Sequence, residues 1–288
     1  MAIEVKNLTY VYGKGAPYEM KALDDVSLKF DDNTVTGLIG HTGSGKSTLV
    51  QMLNGLLKPD SGEVLLDGKN IWADPKKISE VRFKVGLVMQ YPEYQLFDET
   101  VRSDIAFGPR NMGLKGDELD AAVEEAARFA GLRRELLDKS PFELSGGQKR
   151  RAALAGVMAM KPKMLVLDEP AAGLDPGARR EILGRIKNYR RQSGTGVVIV
   201  SHSMEDMAIY CDRVAVLSGG RLVCEGTPAE VFSDADTLFR VGLDVPEVTK
   251  VARSLRQAGV DIGLDIYTVG FAAQRLFEKY GGGEAHEG

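Results

Sequence analysis

Residues 34–57 read TVTGLIGHTGSGKSTLVQMLNGLL: a short apolar run, a loop with three glycines, then a helical run. Few folds accept this order. A strand that ends in such a loop and restarts as a helix points several backbone N–H groups at one spot. Gly40, Gly43 and Gly45 let the loop curl. The helix that begins near Lys46 adds the positive end of its dipole. The pattern GHTGSGKS, Gly40 to Ser47, is that of a phosphate-binding loop. His41, Thr42, Ser44 and Thr48 complete the cradle. Lys46 is expected to reach the β- and γ-phosphates of a nucleotide, and Ser47 to offer its hydroxyl to Mg2+.

Charge narrows the partners. The 288 residues carry 37 Lys and Arg against 41 Asp and Glu, a net charge of −4. Nucleic acid demands a basic footprint, so no nucleic-acid partner is expected. The runs Lys149-Arg150-Arg151 and Arg190-Arg191 read as solvated helix faces. Cys211 and Cys224 have no metal-like spacing and read as buried or half-buried thiols in a reducing compartment. The start MAIEVKNLTY lacks a signal pattern. No apolar run approaches the ~20 residues of a spanning helix. The chain is therefore expected in the cytosol, unable to cross a membrane by itself.

IEVKNLTYVY and KALDDVSLKF alternate apolar and polar residues, as half-buried strands do. From about Gln90 to Met160 helical patterns dominate, with Leu119, Ala122, Val123, Ala126 and Phe129 on one face. KMLVLDEP then reads as a buried strand, PGARREILGRIKNYRRQ as a helix, and TGVVIVSH, RVAVLSGG and RLVCEG as three more strands. Strands alternating with helices predict a mostly parallel sheet. After about Phe232 the character shifts. Val248, Val251, Ala252 and Leu255 fall on one face of a helix, VGFAAQRLFEKY is a second amphipathic candidate, and the tail GGGEAHEG is expected to be disordered.

Acids appear where a nucleotide would need them. MLVLDEP ends in Asp168, placed to bind Mg2+, and Glu169, one residue further, placed to polarise an attacking water. VIVSHS puts His202 at the end of a neighbouring strand, facing the same γ-phosphate. Gln90 leaves another strand and is positioned to contact metal and water. A second glycine-rich helix entrance, LSGGQ, presents Ser145 and the N–H groups of Gly146 and Gly147, with Gln148 beside them. The chain has one lysine-bearing loop and one acid pair. The economical reading is that this second cradle serves another subunit's nucleotide, in a head-to-tail dimer.

That arrangement resembles the ATP-binding cassette (ABC) family, over about residues 3 to 230 and with every motif in order. The resemblance implies an α/β fold: a P-loop NTPase (RecA-like) core with an antiparallel β-subdomain, a helical insert and a small C-terminal helical extension. It implies ATP and Mg2+ as ligands. AAGLDP matches the segment that crosses the dimer, with Asp175 at its centre, and Tyr12 matches the aromatic on which adenine stacks. MQYPEYQLFDETVRSDIAFGPRNMGL, GLDVPEVTKVARSLRQAG and YGKGAPYEMKALDDVSL look like the ATPase subunits of energy-coupling-factor transporters, importers of vitamins and of cobalt or nickel. Met89 stands where phenylalanine is common, Tyr91 where a polar residue is, and Ala171 where threonine or serine is. None of these removes a catalytic group.

The organisation this implies is a nucleotide-binding domain over 1–232, with a helical subdomain at about 91–160. An extension for dimerisation follows over 233–288, its tail disordered from about 281. The partners implied are a second ATPase subunit, as a paralogue heterodimer rather than a homodimer, and a membrane coupling subunit docking near Tyr91, Tyr94, Leu96 and Phe97. A substrate-binding membrane subunit is reached only indirectly. Pro92 is expected to break any helix at the docking stretch. The place implied is the cytoplasmic face of the cell membrane, peripherally. Other readings are another ABC importer, a DNA-repair-type ABC ATPase, a translation-associated cassette protein and a non-catalytic nucleotide-binding module. The insert is too short and the charge too acidic for the second. The third carries two cassettes per chain, and Glu169 with His202 argues against the last.

Overall fold

A computed structural model describes residues 2–280 of the chain. Two sheets form its frame. In the first, β1 (Ala2–Tyr12), β2 (Met20–Asp31), β4 (Ser61–Leu66) and β5 (Lys69–Asn70) pair antiparallel in the order β2-β1-β4-β5. Along β2 buried and exposed residues alternate, as in a sheet with one wet face. In the second, β3 (Val35–Ile39), β6 (Val85–Val88), β7 (Met164–Asp168), β8 (Gly196–Val200), β9 (Arg213–Ser218) and β10 (Arg221–Gly226) take the order β10-β9-β3-β8-β7-β6. All its pairs are parallel except β9–β10. Every residue of β3, β7 and β8 is buried, because both faces of these strands are covered.

The period-2 alternation of those strands feeds two cores. Leu165, Leu167, Val197 and Ile199 face one apolar cluster, packed by helices. Met164, Val166, Val198 and Val200 face the other, shared with the antiparallel sheet and with α1 (Lys46–Leu53). The parallel order puts the C-terminal ends of β3, β6, β7 and β8 on one edge, where open α/β sheets bind ligands. After α2 (Ile78–Lys84) and β6, three helices form the insert: α3 (Val101–Asn111), α4 (Gly116–Ala130) and α5 (Gly146–Met158), each packed on the other two. α6 (Pro176–Ser193) and α7 (Met204–Tyr210) return the chain across the same core.

Beyond residue 232 the chain stays in the main core for another dozen residues. α8 (Pro228–Ser233) and α9 (Ala235–Arg240) bury Phe232, Ala235 and Leu238 there, and Leu243 and Val245 follow. Only α10 (Glu247–Gln257) and α11 (Val269–Tyr280) leave it, around a small cluster of Ala252, Ile262, Ile266 and Ala272. The expected tail at 281–288 lies outside the described residues.

Three expectations need correction. Pro92 does not break helical structure; it opens a short 3-10 turn, Pro92–Gln95, because a first-turn proline gives up no bond. Val251 is 55% exposed. The buried arc of α10 centres on Ala252 and extends toward Thr249, whose hydroxyl donates to the Ile266 carbonyl at 2.6 Å. The basic runs are not simply solvated. Arg150 is buried, and Arg190 pairs with Asp212 at 2.7 Å. Both cysteines are free, Cys211 buried and Cys224 half-buried. Among the described residues no helix is long and apolar enough to cross a membrane.

Candidate functional site

The phosphate loop is built around close backbone approaches. Gly45, which caps α1 with φ 101°, lies so close to the Ala22 carbonyl that a Cβ would sit 2.4 Å from its oxygen. Only glycine satisfies both demands. Ser44 is fully buried beneath Gly40. Lys46 is buried too, its ammonium donating to the carbonyls of Gly40 and His41 at 2.6 and 2.9 Å. Burial pushes its pKa down, while the charges of Glu169 and Asp168 push it up. The His41 ring lies 2.8 Å from the Thr42 carbonyl and 3.4 Å from the Ser218 hydroxyl, so His41 serves the loop through its backbone.

A hollow of about 270 Å3 opens over this loop. Thr42, Gly43, Gly45, Lys46, Ser47 and Thr48 form one wall, and Gln90, Asp168, Glu169 and His202 the other. The predicted catalytic and metal residues thus meet in one place, carried there by β6, β7 and β8. Met20, Ala22 and Val200 also line it. Sequence reasoning missed these three, whose residue types carry no phosphate or metal chemistry. A larger hollow, about 470 Å3, opens near Phe129 and Tyr189. It contains neither the loop nor the acid pair, so it is not the site of this chemistry.

Asp168 is buried and bonds the Ser47 hydroxyl. Burial raises its pKa, against Ser47, Lys46 and His202, which lower it. Among the described residues no group of three or more His, Cys, Asp or Glu could hold a metal by itself. A carboxylate and a hydroxyl beside a phosphate cradle suit Mg2+, which keeps several waters and takes its remaining oxygens from phosphates. The donor set therefore fits that ion.

Glu169 departs from the strand in the left-handed region, φ 53°, with its N–H bonded to the Val200 carbonyl at 3.0 Å. Such a backbone costs ~1–3 kcal/mol in a non-glycine residue and gathers at functional sites. Its carboxyl is pushed up to about 7, chiefly by burial and then by Asp168, against Lys46, Arg179 and the His202 backbone. One oxygen, Oε1, is buried without a hydrogen-bond partner, although His202 Nε2 lies 3.3 Å away out of line. The His202 pKa is lowered by burial and by Lys46, against Asp168, which raises it.

The remaining predicted residues lie outside this hollow. Tyr12 is beside it, its hydroxyl 3.2 Å from that of Thr48 and its ring perpendicular to Tyr10. Asp175 caps α6, accepting from Gly177 and Ala178 at 2.8 and 3.0 Å. Ser145 and Gln148 form a capping box at the start of α5: the Gln148 side-chain Oε1 accepts the Ser145 N–H at 2.9 Å, and the Ser145 hydroxyl accepts the Gln148 backbone N–H at 3.4 Å. At Gly146 and Gly147 a Cβ would meet nothing within 4 Å, and neither has a positive φ. No contact among the described residues demands glycine there.

Comparison with known proteins follows the same lines. The profile of the family described as "ABC transporter" matches residues 23–172. A second, "AAA domain, putative AbiEii toxin, Type IV TA system", matches 139–207. The chain is 52% identical over 277 residues to "Energy-coupling factor transporter ATP-binding protein EcfA2" of Clostridium acetobutylicum, covering 96% of this chain and 97% of that one. It is 51% identical over 281 residues to the protein so named in Clostridium tetani, covering 97% and 98%. Among solved structures it is similar to cbiO1 from Clostridium perfringens, described as part of the ABC transporter complex cbiONQ. The identity is 37% and the TM-score 0.74, over 88% of this chain and 98% of that one. It is also similar to the dimeric post-hydrolysis state of the ATP-binding cassette MJ0796 bound to ADP and Pi, with 27% identity and TM-score 0.71, over 78% and 98%.

Proposed function

Since the chain belongs to the ABC transporter family, and within it to the energy-coupling factor ATP-binding proteins, we propose that it hydrolyses ATP as the motor subunit of an importer whose other chains lie in the membrane. The observation that carries this is the hollow that Lys46 of the phosphate loop shares with Glu169, one of whose carboxylate oxygens has no hydrogen-bond partner. Lys46 and the loop amides hold the phosphates. Ser47 and Asp168 hold Mg2+, which when bound offsets the negative charge of the phosphates. Glu169 takes a proton from the attacking water. His202 and Gln90 position that water and the γ-phosphate, and Tyr12 supplies a face for adenine.

The amides of Gly146 and Gly147 belong to a nucleotide held by a second subunit. Their glycines answer no need within this chain, and a helix start with open N–H groups takes an anion. Ser145 and Gln148 shape that cradle, and Asp175 lies with it on the dimer face. The second subunit is a paralogue rather than another copy. ATP closes the pair and hydrolysis reopens it. A membrane coupling subunit at the cytoplasmic face follows that motion, and a separate membrane subunit holds the cargo, a vitamin or a transition-metal ion. Co-purification from the native membrane, with every partner identified, tests this assembly. Recovery of the chain free of membrane proteins would overturn it.

Lys46→Ala weakens ATP binding by about 10- to 100-fold, the ~1.5–3 kcal/mol of a charge-assisted hydrogen bond. Calorimetric titration of the isolated chain measures it, and an unchanged Kd would remove Lys46 from its role. The C-terminal helices stabilise the dimer. α11 leaves Val269 and Phe277 each 75% exposed, with Leu276 and Tyr280 beside them, and two short helices bury too little to stand alone. Ending the chain after Val245 keeps every buried residue of the main core, losing only the half-buried Tyr267 packed against it, and shortens the dimer's lifetime. Light scattering with and without ATP reads this, and equal lifetimes count against it.

A further inference from the structure

Arg150 follows the exposed Ser145 cradle by little more than one helical turn on α5, yet it is only 6% exposed. Each of the three nitrogens of its guanidinium donates a hydrogen bond. Nε and one Nη donate to the two carboxylate oxygens of Glu93, at 3.3 and 3.1 Å, and the other Nη donates to the Ala172 carbonyl. These partners come from separate segments. Glu93 sits in the 3-10 turn Pro92–Gln95, three residues after Gln90. Ala172 lies three residues after Glu169, in a turn closed by its own N–H to the Glu169 carbonyl at 3.1 Å. One planar cation thus ties together the Gln90 segment, the Glu169 turn and the helix that carries the second cradle.

Stability does not account for it. A buried ion pair loses the hydration of both charges, and apolar residues of the same volume do as well or better. The fork supplies direction instead. Its bidentate bonds hold Glu93 in one plane while the third donor holds Ala172. A displacement of Gln90 or of the Glu169 turn must break these bonds or carry the other segments with it. The next residue after Glu93 is Tyr94, 84% exposed, its ring 6.2 Å from that of Tyr91.

We propose that Arg150 is a positioning residue, with Glu93 as its partner, that transmits the nucleotide state at Gln90 and Glu169 to the aromatic turn at Tyr91–Tyr94. Its link to transport rests on the docking of a membrane subunit at that turn; the movement of the turn does not. The isolated full chain therefore provides the test. Tyr94→Cys carries an environment-sensitive fluorophore in a Cys224→Ser background, the buried Cys211 being left in place. Binding of a non-hydrolysable ATP analogue with Mg2+ changes the emission. Arg150→Lys keeps the charge and loses the fork, and Glu93→Gln keeps the shape and loses the charge. Each lowers the response by about two- to thirtyfold while nucleotide affinity stays within about twofold, and the double variant loses no more than either single one.

Arg150→Ala would leave the half-buried Glu93 without its partner, so the conservative pair decides the question even if that variant does not fold. A full response in both conservative variants with nucleotide bound would overturn the proposal. So would losses that add, or a parent chain whose emission ignores nucleotide. In the assembled transporter the same two variants lower uptake per ATP hydrolysed, with the complex intact. If Tyr94→Ala leaves uptake whole, the docking reading fails and the fluorescence result stands. If the response survives Arg150→Lys and Glu93→Gln, the link fails whatever the docking result.

Discussion

Glu169→Gln stops ATP turnover, by about 10²–10⁴-fold, and leaves ATP binding intact. The side chain keeps its size and its place on the left-handed backbone after β7. What disappears is the carboxylate proposed to accept the proton of water. Lys46, Ser47 and Asp168, proposed to hold the phosphates and the metal, are untouched. An ATPase assay on the assembled transporter measures the loss, and near-parental turnover would remove Glu169 from its role. The raised pKa adds a sign. The base must be ionised, so kcat/KM for ATP climbs as pH rises through about 7, and the Gln variant lacks this limb. Stability runs the other way. The folded pKa lies above the ordinary 4.5, so the folded state holds the proton more tightly. The stability this gives is complete below pH ~4.5 and lost as pH rises through about 7. A buried carboxylate at pH 8 therefore costs the nucleotide-free chain roughly 3 kcal/mol, which Glu169→Gln returns. Thermal melts at pH 5 and pH 8 read this, with the variant gaining more at pH 8. A larger gain at pH 5 would contradict the sign.

Much of that site was legible in the sequence because its chemistry is local. Glycines at fixed offsets before Lys46 dictate the loop, and an apolar run ending in Asp168 and Glu169 can only be a buried strand reaching solvent. The strand order was not legible. β8 sits between β3 and β7, and this is decided by how crossover helices pack, not by any residue in the strands. Nor was the left-handed φ of Glu169, since glutamate has no preference for it. Arg150 shows the limit most clearly. Within Lys149-Arg150-Arg151 nothing marks the middle residue, and its burial is decided by Glu93, 57 residues away. At Val251 helical periodicity found the right side of the helix but not the centre of the buried arc, which a hydroxyl to the Ile266 carbonyl moved toward Thr249.

The proposed docking surface gives the second large effect. Of the four residues expected there, Leu96 packs against the main core and fixes the turn. The other three face outward, Tyr94 and Phe97 most, at 84% and 63% exposure. Phe97 meets Phe107 edge to face at 5.0 Å, and Phe107 is also exposed, so an aromatic patch continues from the turn onto α3. Asp104, buried in α3, accepts the N–H groups of Phe97 and Asp98 at 3.1 and 3.2 Å and holds the loop in this pose. A fixed, solvent-facing aromatic patch marks an interaction surface. Aromatic anchors of this kind typically cost ~2 kcal/mol or more when truncated, about 30-fold in affinity. Tyr94→Ala and Phe97→Glu therefore each release the membrane coupling subunit on purification and abolish uptake. Neither side chain lies in the core, so the isolated variants fold and bind ATP as the parent does. Phe97→Glu has the larger effect, because it sets a charge into an apolar contact as well as removing the ring. If both variants remain in the membrane complex and still drive uptake, the coupling subunit sits elsewhere on the chain.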